Sequence, residues 1–183
     1  MQPLRSLESL LRKIASPDVY LFSLADLEAL VPEVGHQAFK MVVTRAVKQG
    51  ILHRACQGIY LFDGVAYKRG LELYHIAGKL RAGCFNYLSQ ESVLSEAGII
   101  SQVPLQRITL MSSGRSGVVN CGPWGSIEFT HSKKNLDRLS PELSYDPQIR
   151  LLRASPRLAL ADLRAARRNL DLIDERGLDE NAL

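Results

Sequence analysis

The stretch HQAFKMVVTRAVKQGILHRACQGIYLF, His36 to Phe62, decides how the first part of the chain is read. Phe39, Val42, Val43, Ala46 and Val47 recur at three- and four-residue steps, so the spacing predicts a helix over 36–49 with one apolar stripe. Gln37, Lys40, Met41, Thr44, Arg45 and Lys48 fall on its other side. Gly50 stands where a helix commonly closes with a left-handed residue. "ILHRAC" and "IYLF" then read as two short strands joined by a tight turn at Gln57-Gly58.

Upstream, Leu4, Leu7, Leu10, Leu11 and Ile14 set a first helix over 4–15. "SPD" ends it, "YLF" at 20–22 is extended, and Ser23 caps a second helix over 24–31 with Asp26 as an imperfect capping-box partner. "PEVG" turns the chain into the helix quoted above. The order helix, helix, turn, helix, hairpin is that of a winged helix-turn-helix.

Downstream, "DGVAY" at 63–67 reads as a hinge, followed by a helix over 68–81 buried along Leu71, Tyr74, Ile76, Ala77 and Leu80. "CFNYL" is a strand, and Ser89 is the expected N-cap of a helix over 90–97 closed by Gly98. Strands are expected at 105–111, 117–121 and 126–131, with "IRLL" at 149–152 as a fourth. Ser155-Pro156 opens a last helix over 156–174. Leu158, Leu163, Ala166, Leu170 and Ile173 would face its core. Arg157, Arg164, Arg167 and Arg168 would face outward with Asp162, Asp171 and Asp174 among them. The tail from 175 is expected to fray.

The expected architecture is therefore α+β: a winged helix-turn-helix domain over 1–64, then a small α/β domain over 65–183 with a mainly antiparallel sheet. Of 183 residues, 46% are hydrophobic and 23% charged, an ordinary globular balance. No apolar run reaches the roughly 18 residues that span a bilayer. The first helix, interrupted by Glu8 and Arg12, lacks the apolar core of a signal peptide, so a cytoplasmic protein is expected. Cys56, Cys84 and Cys121 form no C-x-x-C pair and read as small apolar fillers.

Net charge is +4, and its distribution carries more than its size. Residues 1–82 hold 11 Lys/Arg and 7 Asp/Glu, whereas residues 83–183 hold 12 of each. A local cationic surplus around a candidate groove-entering helix points to duplex DNA. Arg and Lys suit guanine edges and phosphates, Gln suits adenine, and Thr offers a hydroxyl and a methyl. The expected contacts are Gln37, Lys40, Thr44, Arg45 and Lys48 on the helix, with His53, Arg54 and Gln57 on the hairpin. Lys40, Arg45, Lys48 and Arg54 would supply salt-dependent affinity, and Gln37 and Thr44 base reading. The competing reading is a plain solvated face, or a winged domain that docks a protein partner.

Other constellations carry less. "GRSGVVNCGPWG" at 114–125 matches no phosphate-binding loop and reads as turns. His36, His53, His75 and His131 have no metal-ligand spacing. An enzyme would need Ser89, Glu91, Ser92 and His131 to meet in space. No catalytic residue, metal or cofactor is expected. The arginines of the last helix, Arg157, Arg164, Arg167 and Arg168, read either as a plain solvated face or as a docking surface for a protein partner or for extra DNA backbone.

Three segments carry a family resemblance. "KQGILHRACQGIYLF" (48–62) resembles the wing of AbiEi-type antitoxins. "YLSQESVLSEAGII" (87–100) is similar to the segment after their inter-domain linker, although Ala97 stands where many members carry an aromatic or histidine. "IRLLRASPRLALADL" (149–163) is similar to their closing helix. The resemblance implies an antitoxin of a two-gene abortive-infection module. Its winged domain would bind the operon's own promoter, and its C-terminal domain would oppose a nucleotidyltransferase-like toxin.

Overall fold

The computed structural model describes residues 2–100, 106–134, 136–167 and 170–173. The chain divides into two compact units, residues 1–72 and 73–183. The first is built from α1 (Pro3–Ile14), β1 (Leu21–Ser23), α2 (Leu24–Leu30), α3 (His36–Lys48), β2 (Leu52–Cys56) and β3 (Ile59–Phe62). Leu7 and Leu11 of α1, Leu27 of α2 and Phe39, Val42, Val43 and Ala46 of α3 meet Leu52, Tyr60 and Phe62 in one apolar core. The sheet runs β1-β3-β2 with both pairings antiparallel.

Local chemistry sets where these elements begin and end. The capping box on α2 is complete: Ser23 Oγ accepts the Asp26 N–H at 3.1 Å, and Asp26 accepts the Ser23 N–H at 2.7 Å. At the end of α3, Gly50 takes φ +71. Its N–H and that of Ile51 then reach the carbonyls of Val47 and Ala46, so the last turn leaves fewer orphan acceptors. Residues 63–67, expected as a hinge, stay with the first unit: the Tyr67 ring stacks on Tyr20 at 4.0 Å, and Asp63 pairs with Arg69. The division accordingly falls at 72/73 rather than 64/65.

The second unit follows from α4 (Glu72–Leu80), which starts four residues later than its periodicity suggests. Gly70 at φ +87 holds the preceding segment out of the helix. Then come β4 (Asn86–Leu88), α5 (Glu91–Glu96), β5 (Arg107–Ser112), β6 (Gly117–Asn120), β7 (Ser126–His131), α6 (Leu136–Leu139), β8 (Leu143–Asp146), β9 (Leu151–Ala154) and α7 (Pro156–Ala166). Leu105, the expected start of the β5 strand, lies outside the described residues. The six strands run β6-β7-β5-β4-β9-β8. Three pairings are antiparallel, while β4–β9 and β5–β7 are parallel, so this sheet is mixed. α5 and α7 pack on each other, α5 against β5 and α7 against β9.

Three local expectations are corrected. Ser89 is not the cap of α5; Gln90, at φ +53, takes that place. The Ser89 hydroxyl is used elsewhere, on a buried carboxylate described below. α7 stops at Arg167, whose φ of +52 ends the helix, and does not run on to Asp174, which lies outside the described residues. Leu170, expected to face the core, is therefore 45% exposed. The glycine-rich stretch does form a turn region, with β6 inside it. At Gly125 (φ +110) an added Cβ would come within 2.1 Å of the Gln106 carbonyl oxygen.

Candidate functional site

The exposed side of α3 carries two parallel rows of side chains at four-residue steps: Gln37, Met41, Arg45 and Lys40, Thr44, Lys48. The second row borders the hairpin. Lys40, Thr44 and Lys48 line an open cleft of about 620 Å³ with Arg54, Gln57 and Gly58 of the hairpin. Leu24, Val43, Val47 and Tyr60 complete its walls.

Strand register explains the aim of Arg54. It pairs with Tyr60 as Leu52 pairs with Phe62, and alternation puts all four on the face that packs against α3. His53 pairs with Leu61 and so belongs to the opposite face. A register shift between Arg54 and Cys56 bends the strand just before the turn at Gln57. Five of the eight residues chosen from the sequence thus share one cleft: Lys40, Thr44, Lys48, Arg54 and Gln57. Gln37 and Arg45 are exposed on the same helix outside the cleft, and His53 is exposed on the far face of β2. Thr44 differs from its expected role in one respect: its hydroxyl donates to the Lys40 carbonyl at 2.8 Å. That leaves its methyl and lone pairs for a ligand.

Among the described residues, none of Lys40, Arg45, Lys48 and Arg54 has an ion-pair partner. Some cations elsewhere are paired: Arg12 with Glu8 at 2.8 Å, and Arg153 with both Glu96 and Asp146. An uncompensated cationic face attracts polyanions and repels itself. The helix is held in place by His36, whose Nδ1 meets Glu28 of α2 at 2.7 Å across the turn.

In the second unit, Arg157 is exposed but pairs with Glu142 at 3.3 Å. Arg164 and Arg167 are exposed, and Arg168 lies outside the described residues. Asp162 does not stand among them on the surface. It is 1% exposed, because it follows Leu158 and Ala159 by one turn on the buried stripe of α7. Its Oδ2 accepts the Tyr87 hydroxyl at 3.0 Å and the Ser89 hydroxyl at 2.8 Å, and its Oδ1 meets the Lys134 ammonium. Burial, then the Asp162 charge, push the Tyr87 hydroxyl pKa well up. Ser92 and Thr109 form a neighbouring buried pair, 3.1 Å apart.

This cluster does not include His131. The Ser89 N–H bonds the Thr109 carbonyl, Thr109 is level with Glu128, and His131 lies three residues further along β7. The imidazole instead meets the Gly114 carbonyl at 2.8 Å at the exposed end of β7. The Ser89, Glu91, Ser92 and His131 set therefore does not assemble as a nucleophile–base pair. Cys56 and Cys121 are buried and Cys84 is partly exposed. Among the described residues, no group of three or more His, Cys, Asp or Glu could hold a metal ion. Among them, too, no helix is long and apolar enough to cross a membrane.

No protein-family model matches the chain, and no curated protein matches it. Among solved structures it is similar to the RV2827C protein from Mycobacterium tuberculosis, at 16% identity and a TM-score of 0.46. The match covers 82% of this chain and 53% of that one, so the chain spans about half the length of that structure.

Proposed function

We propose that the chain is a sequence-specific DNA-binding regulator whose first unit is a winged helix-turn-helix. The observation that carries this reading is the gathering of Lys40, Lys48, Arg54, Thr44 and Gln57 around one cleft, with the cations uncompensated. α3 would enter the major groove, which admits one helix, and the β2–β3 hairpin would flank it as the wing. Lys40, Lys48 and Arg54 then track phosphates beside the cleft. The Gln37–Met41–Arg45 row faces base edges. Gln37 suits adenine and Arg45 guanine.

The biological role follows from the family resemblance of the wing, the 87–100 segment and the closing helix. In that reading the protein is an antitoxin that represses its own toxin–antitoxin operon, and the second unit opposes a nucleotidyltransferase-like toxin. The arginines Arg157, Arg164 and Arg167 are its candidate contacts.

The test is a fluorescence-anisotropy titration against duplex DNA from upstream of the chain's own gene and against scrambled duplex, at two salt concentrations. A preference above tenfold, about 1.4 kcal/mol, is the expected result. Equal, salt-sensitive binding to both duplexes would reduce the face to a generic cationic surface. The apolar walls of the cleft, Leu24, Val43, Val47 and Tyr60, favour one second reading, a docking site for a protein partner. Stable complex formation with the neighbouring toxin through this cleft, without any DNA binding, would select it.

A further inference from the structure

Met41 stands outside the apolar core of its unit. It is 56% exposed at the middle of α3, with Gln37 one turn before it and Arg45 one turn after. Lys40, Thr44 and Lys48 form the adjoining row, and apart from the small Ala38 the exposed helical neighbours are polar or cationic. The apolar core is served by the other stripe, Phe39, Val42, Val43 and Ala46. A long, unbranched, polarizable side chain here is useful only to an occupant that removes it from water.

The charge around Met41 selects that occupant. Lys40 beside it, Arg45 one turn on and Lys48 two turns on have no carboxylate partner, which fits a polyanion and opposes an apolar or basic one. The two rows also divide the work. Lys40, Thr44 and Lys48 face the hairpin, so the Gln37–Met41–Arg45 row lies on the side away from it. In a helix laid along the major groove with its hairpin against the backbone, that outer row meets the base edges. The 5-methyl of thymine is the one apolar group presented there.

We infer that Met41 reads the 5-methyl group of a thymine in duplex DNA, an inference that rests on the DNA reading of this face. Arg45 sits one turn away, about 6 Å along the axis. The guanine it suits would then fall roughly two base pairs from that thymine, at about 3.4 Å per step.

The probe is a duplex enriched from a random-sequence pool by the full chain, with each thymine then replaced in turn by deoxyuridine. Burying one methyl corresponds to about a fourfold change in affinity. Wild type should lose about fourfold at one or two thymines and be indifferent elsewhere. Met41→Ala should bind the parent duplex about fourfold more weakly and bind thymine and deoxyuridine forms alike. Met41 is exposed, so the variant should fold as wild type does. Indifference of wild type to every replacement would overturn the methyl contact alone, leaving DNA recognition intact. Retention of the thymine preference by Met41→Ala would overturn it equally. Failure to enrich any sequence would sink the DNA reading of the face, and the methyl contact with it.

Discussion

Salt dependence gives the sharpest measure of how the cationic face is used. Lys40, Arg45, Lys48 and Arg54 are exposed and lack ion-pair partners among the described residues. Each phosphate neutralised on B-DNA releases counterions and contributes about −0.9 to the slope of log K against log salt. With Arg45 on a base edge, the three phosphate contacts of Lys40, Lys48 and Arg54 predict a slope of about −2.7, so a rise from about 50 to 200 mM salt weakens binding about 40-fold. The double variant Lys40→Ala/Lys48→Ala should cut the slope to about −0.9, with about a 3.5-fold loss over the same range. Both positions are exposed on a helix, so alanine should alter stability by no more than about 0.5 kcal/mol. Gln37→Ala should lower affinity and leave the slope unchanged, because it removes a base contact and no cation. Arg164→Ala, in the second unit, should change neither. Anisotropy titrations at four or five salt concentrations measure each slope directly. A double variant that keeps the wild-type slope would refute the assignment, since the charges would then be spectators. So would an Arg164→Ala slope that fell by about one.

Three further outcomes follow from particular contacts. Asp162→Ala strands the buried Tyr87 and Ser89 hydroxyls, and at about 1–3 kcal/mol per orphaned group it should destabilise the second unit by at least about 2 kcal/mol. Asp162→Asn retains an acceptor and should lose less, which thermal unfolding would rank. Burial raises the pKa of Tyr67, Tyr74 and Tyr87. The folded chain therefore holds those protons longer than the unfolded chain, and stability, complete below pH 10, should fall as pH climbs toward the folded values. Tyr87→Phe should flatten that alkaline decline in urea titrations at stepped pH, and an unchanged decline would remove Tyr87 from it. Thr44→Glu would place a carboxylate one turn from both Lys40 and Lys48 and should stabilise α3 by about 0.5 kcal/mol. The same change should weaken DNA binding at least tenfold, and undiminished affinity would dismiss the cleft as a binding site.

The first unit was legible because its signals are local. The stripe of α3, the Ser23 cap, Gly50 and the Gln57-Gly58 turn each lie within a few residues of what they specify. Which of the two α3 rows borders the hairpin was not legible, because that is set by tertiary packing. Arg54 reaches the cleft through its pairing with Tyr60, a tertiary fact. The second unit hid more. β8 is an edge strand with Tyr145 and Ser144 exposed, so it shows little apolar alternation. Asp162 read as a surface charge because its partners Tyr87 and Ser89 are more than seventy positions away. α7 ended early at a left-handed arginine, where sequence pattern alone would have continued the helix.

α3 shows why its outer face can be argued apart from the packing. Its inner stripe supplies the core with Phe39, Val42, Val43 and Ala46, and nothing on the outer face adds to that burial. A helix shaped only for stability would place acidic residues one turn from its lysines, as Glu8 is placed for Arg12 in α1. α3 instead sets Arg45 and Lys48 one turn apart, keeps Thr44 between Lys40 and Lys48, and exposes Met41 among them. Like charges at that spacing are mildly unfavourable, and an exposed methionine gains nothing from folding. The cationic part of this arrangement is relieved by an anionic surface, and the apolar part by a methyl-bearing one. The major groove of thymine-containing DNA presents both at the spacing of a single helix.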